Sequence, residues 1–462
     1  MVTYLEISGF KSFHDFKMEF TPLTVVAGLN ASGKSNLFDA LMLLSRLAEV
    51  RLKDAFKEQR GDFDELFTKY DEDKYAQEIS FTVEMLINRH IKDAWGTEAE
   101  LNYTRLRYKL IIERKENASG IEDLLIRHES LEKIKPQDDK WVKKQKIKKD
   151  LWSGLRAGGS PEPFIKTDNE SNKVAIKIRQ DGKQGGKATP ANAASQTVLG
   201  GVNSVDFPHV FAAKEEMRSW RFLQLNPEDL RQPTSKKTGE DTITSTGKNL
   251  AAALFRIKQA DSYNLVEISR KLNSFLPNFT KVDVLDDTEN RQYIIKLTGD
   301  DGKIFSSRVL SEGTLRLLTL CILEYDEKYT GLLCFEEPEN GIHPFRIKAM
   351  VELLKSLSSD FDDRIIPLRQ ILVNTHSPVL IGYLLAYKDD INVSIWYTQM
   401  RTLSTQIKTK RMKLNITKNL PVLNNNAVQQ EMIFSSEQDR KLTLANVKEY
   451  LQTADFGTIE SY

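Results

Sequence analysis

Two stretches of this sequence, far apart along the chain, carry residue types that act on phosphates. The first runs Gly28-Leu29-Asn30-Ala31-Ser32-Gly33-Lys34-Ser35-Asn36, with the spacing G-x-x-x-x-G-K-S of a loop that wraps a nucleotide phosphate. Its glycines let backbone N–H groups turn inward at the start of a helix, whose partial positive charge favours anions. Lys34 is then expected to place a mobile cation on the β- and γ-phosphate oxygens, and Ser35 to give a hydroxyl ligand to Mg²⁺. The second stretch, GLLCFEEP at 331–338, reads as an apolar strand that ends in adjacent carboxylates, Glu336 and Glu337. Successive strand side chains point to opposite faces, so only a bend at the strand end can turn both toward one ligand. One carboxylate would then serve the Mg²⁺ shell while the other polarises an attacking water.

The elements that position these groups are visible in the periodicity. VTYLEIS at 2–8 alternates like a strand, TPLTVVAG at 21–28 is an apolar run ending in glycine, and 36–50 carries apolar residues at helical spacing. Strand, glycine loop and helix thus follow one another. EISFTVEMLI and NYTRLRYKLIIE predict two strands between 78 and 112, and TKVDVLDD and RQYIIKLT predict two later strands, with a GDDGK turn after the second. Helical patterning covers 247–276, and 309–380 alternates helix and strand as an α/β core does. Between them, 131–150 holds eight lysines, a solvated helix face or a phosphate-backbone contact, with Trp141 as a partly buried anchor or a base-stacking ring. The Gly-rich stretch 179–196 reads as a flexible loop, and the last 70 residues as a strand, INVSIWYTQM, followed by a polar tail.

At 462 residues the chain is long enough for two or three structural units. The net charge of +1 excludes a polycation that coats nucleic acid, so any basic surface must be local. Cys321 and Cys334 sit in apolar runs and read as reduced core residues, and six scattered histidines give no zinc spacing. No signal peptide and no apolar run long enough to span a bilayer are seen, which predicts a soluble, cytoplasmic protein without membrane contact.

Taken in order, the motifs resemble those of ABC-type ATPases in the SMC- and RecF-like branch. ISGFKSF is similar to the opening of SMC heads, GLNASGKSN to Walker A, and VLSEGTLRLL at 309–318 to the ABC signature. CFEEPENGIHP at 334–344 is similar to Walker B, catalytic glutamate and D-loop, and ILVNTHSPVLI at 371–381 to the switch-histidine segment. The resemblance implies an α/β P-loop ATPase head built from an N-terminal lobe (1–112) and a C-terminal lobe (281–390). An inserted, mainly helical or irregular lid would occupy 113–280, with a flexible loop near 179–200, and a strand and tail 391–462. It places Gly28, Asn30, Ser32, Gly33, Lys34, Ser35 and Asn36 on ATP, Ser35 and Glu336 on Mg²⁺, Glu337 as the hydrolytic glutamate and His376 on the γ-phosphate. Ser311 and Gly313 fall where the family contacts a nucleotide held by the opposite protomer, so the implied unit is a homodimer or a higher assembly of ATP-sandwiched heads. The match departs from the family at Glu336, usually Asp, which predicts slow hydrolysis, and at His343, where the D-loop often has Asp. Gln59 and Gln77 both compete for the Q-loop. Lys11, Ser12 and Phe13 would flank the adenine or ribose, or line an edge strand.

The separation of the lobes is too short, and too poor in heptads, for a long coiled-coil rod. ATPases with EEPENGIHP and THSP resemble the overcoming-lysogenization-defect group and antiphage ATPases, above all the ATPase subunit of PARIS-type systems and then that of Septu. That likeness implies a sensor or scaffold controlling a separate effector, a Toprim or HNH nuclease, in response to DNA or a phage-encoded trigger protein. The chain's own tail shows no nuclease cluster. The alternatives are a RecF-like DNA-binding repair ATPase and, disfavoured by an SEG rather than SGG signature, a transporter cassette.

Overall fold

The computed structural model describes residues 1–462 except 72–73, 117–121, 149–150, 152–161, 169–174, 180–185, 191–193, 238, 362–367, 408–409 and 424–462. The chain is mixed α/β and divides into two compact units. One comprises Met1–Thr21, Gly28–Trp220 and Tyr397–Leu420, and the other Pro22–Ala27, Arg221–Trp396 and the residues from Pro421.

Period-two sequence builds the first unit. An eight-stranded antiparallel sheet runs, from one edge to the other, Gly186–Pro190, Ala175–Arg179, Ile165–Asp168, Glu122–Lys133, Arg105–Glu116, Glu78–Leu86, Val2–Ser8 and Phe16–Glu19. Alternate residues such as Leu5, Ile7, Phe81, Val83, Leu110 and Ile112 are buried, the pattern of a sheet with one face on a core. The loop helix, Lys34–Leu47, contributes Leu37, Leu41 and Leu44 to the buried residues at 3.6-residue spacing.

Within 113–280 the expectation of a helical or irregular insert needs correction. Helices occupy Pro208–Arg218, Leu250–Ala260 and Tyr263–Phe275, but Glu122–Lys133 and the three strands after it continue the first sheet. Charged and polar residues alternate there with buried Leu124, Ile126, Leu131, Ile165 and Ile178, and they mask the strand pattern. Trp141 is a buried anchor, its Nε1 donating to Phe20 O at 2.7 Å. Lys133 and Lys144 are held by Tyr103 and Glu19, whereas Lys135, Lys140, Lys143, Lys146 and Lys148 are exposed. Lys149, much of the 179–200 loop and the polar tail from 424 lie outside the described residues. The tail's first part is a strand, Lys410–Leu423, with Leu414, Ile416 and Leu420 buried.

The second unit is built on a parallel sheet. Its neighbours run Arg221–Leu223 (edge strand), Gly331–Glu336 (carboxylate strand), Arg369–Thr375 (histidine strand) and Leu23–Ala27 (loop strand). The last three are buried along almost their whole length, as strands covered on both faces are, although the histidine strand is apolar only at Ile371, Leu372 and Val373. The signature helix, Glu312–Glu324, and the helix Ile347–Leu357 flank them in sequence; the second buries Ile347, Met350, Val351, Leu354 and Leu357 along one stripe. A smaller antiparallel sheet pairs Phe279–Asp287 with Gln292–Gly299, the two segments expected as strands. Both cysteines are buried and reduced, and burial pushes both thiols well up. Among the described residues no helix is long and apolar enough to cross a membrane.

Candidate nucleotide site

The glycine loop belongs to the first unit and is packed from behind. A Cβ on Gly33, whose φ is 92°, would collide with the Thr417 hydroxyl, and one on Gly28 would collide with the Thr398 carbonyl. Only glycine admits that approach. Gly33 caps the loop helix without a side-chain hydrogen bond, so no side chain competes there for an incoming anion. Lys34 is buried, and its Nζ donates to Gly28 O and Leu29 O, both at 2.8 Å. Ser32 Oγ is buried and has no partner, the kind of unmet polar group that a phosphate oxygen satisfies. Asn30 is exposed and Ser35 half-buried.

Asn36 Nδ2 donates to Ser12 Oγ at 2.7 Å, Ser12 Oγ shares a 2.6 Å hydrogen bond with Thr417 Oγ1, and Thr417 N–H donates to Ser12 O at 2.9 Å. Ser12 therefore supports the loop. Phe13 is fully buried and Lys11 Nζ pairs with Asp39 at 2.6 Å, so neither lies open for a base or sugar.

In the second unit, parallel pairing sets strand ends side by side. Leu223 is in register with Phe335, Glu336 with Asn374, Asn374 with Val26 and Thr375 with Ala27. Glu336 ends the carboxylate strand. Glu337 follows with φ 46°, in the left-handed region, and its N–H donates to Asn374 O at 2.9 Å. That residue is the bend the paired carboxylates require, and Glu336 and Glu337 line one cavity of about 450 Å³. Both Glu337 oxygens are engaged: Oε1 lies 2.9 Å from His376 Nδ1, and Oε2 accepts from Asn340 Nδ2 at 2.9 Å.

The cavity also takes in Gln224, Asn226, Thr246 and Arg316. Gln224 follows the edge strand beside the carboxylate strand. Neither Gln59, bonded to Ala55 O, nor Gln77, bonded to Tyr75 O, lines it. The FLQLNP sequence at 222–227, an apolar pair followed by glutamine, was the available signal. Glu339, also unanticipated, is buried and accepts from the Thr375 hydroxyl; burial first, and then the Glu337 carboxylate, push its pKa up.

Ser311 is exposed and caps the signature helix, its Oγ accepting from Thr314 N at 3.3 Å. Gly313 is buried, and a Cβ there would lie 3.0 Å from Gly341 O. Gly341 in turn has φ 71° and sits beneath the Glu312 side chain, which pairs with Arg316 at 2.9 Å. The signature turn and the turn after Glu337 are thus in direct contact within this unit.

Residues 23–382 match a family model described as "AAA domain, putative AbiEii toxin, Type IV TA system". No curated protein matches the chain. Among solved structures, an SMC head bound to the C-terminal winged-helix domain of ScpA is 12% identical, with a TM-score of 0.48, over 91% of this chain and 98% of that one. The SMC head domain of Thermotoga maritima gives 12% identity, a TM-score of 0.38 and coverages of 91% and 98%. A Pyrococcus furiosus Smc head with an extended coiled coil, bound to the C-terminal domain of ScpA, gives 11%, 0.44, 93% and 97%.

Proposed function

From the chain's membership of the AAA-domain family whose model spans residues 23–382, we propose that it binds and hydrolyses ATP, with the glycine loop as the phosphate binder and the carboxylate pair serving hydrolysis. The observation that carries this reading is Glu337, held in a left-handed bend with one oxygen on His376 and the other on Asn340, beside Glu336 in one cavity. The loop strand ends in register with the histidine strand, and Gly28 is its next residue.

In this mechanism Gly28, Asn30, Ser32, Gly33 and Asn36 shape the phosphate cradle. Lys34 releases the Gly28 and Leu29 carbonyls and pairs with phosphate oxygens. Ser35 and Glu336 are the hard oxygen donors that would serve a divalent cation, Mg²⁺ by choice, whose charge would offset that of the phosphates. Glu337 takes up the proton of the attacking water, while His376 holds that carboxylate and faces the γ-phosphate. Gln224 is the best-placed Q-loop residue.

The chain acts, on this reading, as a homodimer or larger assembly in which Ser311 and Gly313 contact a neighbour's nucleotide. Its resemblance to antiphage ATPases supports a cytoplasmic sensor or scaffold that governs a separate nuclease effector, as in PARIS-type systems. Lys34→Ala should abolish nucleotide binding. Glu337→Gln should bind ATP, lose at least about a hundredfold in turnover and accumulate as ATP-bound oligomers in light scattering. Unchanged turnover in Glu337→Gln would dismiss the assignment. The five exposed lysines at 135–148 favour one second reading, a RecF-like DNA-binding ATPase. Pull-down from the host separates the two: an effector protein supports the sensor, and ATP-dependent, salt-sensitive DNA binding by the protein alone supports repair.

A further inference from the structure

Glu339 looks like part of an exposed turn in the sequence, yet it is only 7% exposed, and it has no place in the mechanism above. Its Oε1 accepts the hydroxyl proton of Thr375, the last residue of the histidine strand, and its Oε2 is buried without a partner. Thr375 Oγ1 in turn accepts from Ser377 N–H at 3.0 Å, so one hydroxyl bridges Glu339 to the backbone on the far side of His376. The turn that carries Glu339 also closes on itself, with Asn340 N–H on Glu337 O at 3.1 Å and Ile342 N–H on Glu339 O at 3.0 Å. Two segments therefore meet twice. In front, His376 meets Glu337 in partly exposed surroundings; behind, Thr375 meets Glu339 out of solvent.

We propose that Glu339 is a positioning residue for ATP hydrolysis: through Thr375 it locks the turn bearing Glu337 to the strand end bearing His376. The front contact alone is a partly solvated pair, which water competes for. The rear contact is dry, and dry hydrogen bonds resist such competition. Holding Glu337 in the left-handed region also needs surroundings that over-determine it, and the rear lock supplies one of the constraints. Glu339 reaches neither substrate nor metal in this scheme. Burial and the neighbouring Glu337 carboxylate both favour the neutral carboxyl at this place, and no lysine or arginine is bonded to it among the described residues. An amide of the same shape should therefore replace it.

This inference rests on the ATPase reading, so the experiment includes that reading's own control. Steady-state ATP turnover and nucleotide affinity are measured for wild type, Glu337→Gln, Glu339→Ala, Glu339→Gln and Thr375→Val. The expected result is a fall in kcat of about tenfold or more for Glu339→Ala and Thr375→Val with KM within about twofold, and near-normal kcat for Glu339→Gln. Thr375→Val carries the test should Glu339→Ala fail to fold, since it removes the same hydrogen bond without a cavity. Wild-type kcat in Glu339→Ala or Thr375→Val overturns the proposal, as does a loss confined to KM. Equal losses in Glu339→Gln and Glu339→Ala overturn it too, because they would make the charge the active property. If Glu337→Gln turns over normally, the ATPase reading itself has failed; if Glu337→Gln is inactive while Glu339→Ala is normal, only the lock has.

Discussion

Left-handed backbone at a glutamate costs about 1–3 kcal/mol, and at Glu337 the surroundings that offset it are the same groups that aim its carboxylate. A second carboxylate shows the opposite balance of forces. Glu129 is fully buried; its oxygens accept from Val198 N at 2.8 Å, Leu199 N at 2.9 Å and Tyr108 OH at 3.1 Å, yet burial outweighs these and pushes its pKa up to about 7. Folding therefore takes up a proton between the ordinary value of 4.5 and about 7. The sign follows: the folded state binds more protons in that window, so stability is greatest below it and falls as pH rises through it, by on the order of 3 kcal/mol in all. Urea denaturation across pH 4.5–7 should show this slope, and Glu129→Gln should flatten it. A slope unchanged in the variant would assign the effect elsewhere. At this scale the sequence was legible where spacing is rigid. G-x-x-x-x-G-K-S and the paired glutamates announce themselves, whereas Glu339 hides in a PENG turn and Thr417 in a polar stretch whose alternation is easily missed. Nothing local in a sequence says that a hydroxyl will stand against a glycine near the other end of the chain.

Elements were readable when apolar runs were long. The loop, carboxylate and histidine strands were each announced by five or more consecutive buried residues. The edge strand that delivers Gln224 spans only three residues, too few for a period to emerge, and in residues 122–179 charged residues such as Arg127, Lys166 and Lys177 stand next to buried Ile126, Ile165 and Ile178. How elements are joined was not legible at all. Arg369 begins the histidine strand, is 4% exposed, and donates to Tyr329 O at 2.7 Å, Leu323 O at 3.1 Å, Glu324 O at 3.2 Å and Asp326 O at 3.2 Å. It thereby satisfies the orphan carbonyls at the C-terminal end of the signature helix, and burial lowers its pKa. Arg369→Met would strand those acceptors, with an expected loss of about 3 kcal/mol or more in chemical denaturation. Lysine should rescue little of it, because one ammonium cannot reproduce the planar fork. A loss below about 1 kcal/mol would show that water reaches those carbonyls.

Over the whole molecule, the prediction of an N-terminal and a C-terminal lobe meets a chain that changes unit repeatedly. Leu23–Ala27 belongs to the second unit although its neighbours in sequence belong to the first. It pairs with the histidine strand along one edge, and on the other edge Leu23 N–H donates to Asn392 O at 2.9 Å. A fragment of residues 221–396 therefore lacks an interior strand. It should fail to give a cooperative melting transition alone and regain one when a peptide covering residues 21–28 is supplied. Cooperative melting of the unaided fragment would show the loop strand to be dispensable.

The seating of Gly33 against Thr417 has a consequence in time. The phosphate loop leaves the ribosome well before the hydroxyl that backs it, because Thr417 lies 417 − 33 = 384 residues after Gly33. At a synthesis rate of about 5–20 residues per second, the nascent loop waits tens of seconds without its support. Competence to grip a nucleotide thus arrives only after Thr417 has been made, and a ribosome stalled between the two displays a glycine loop that is complete in sequence and unfinished in shape.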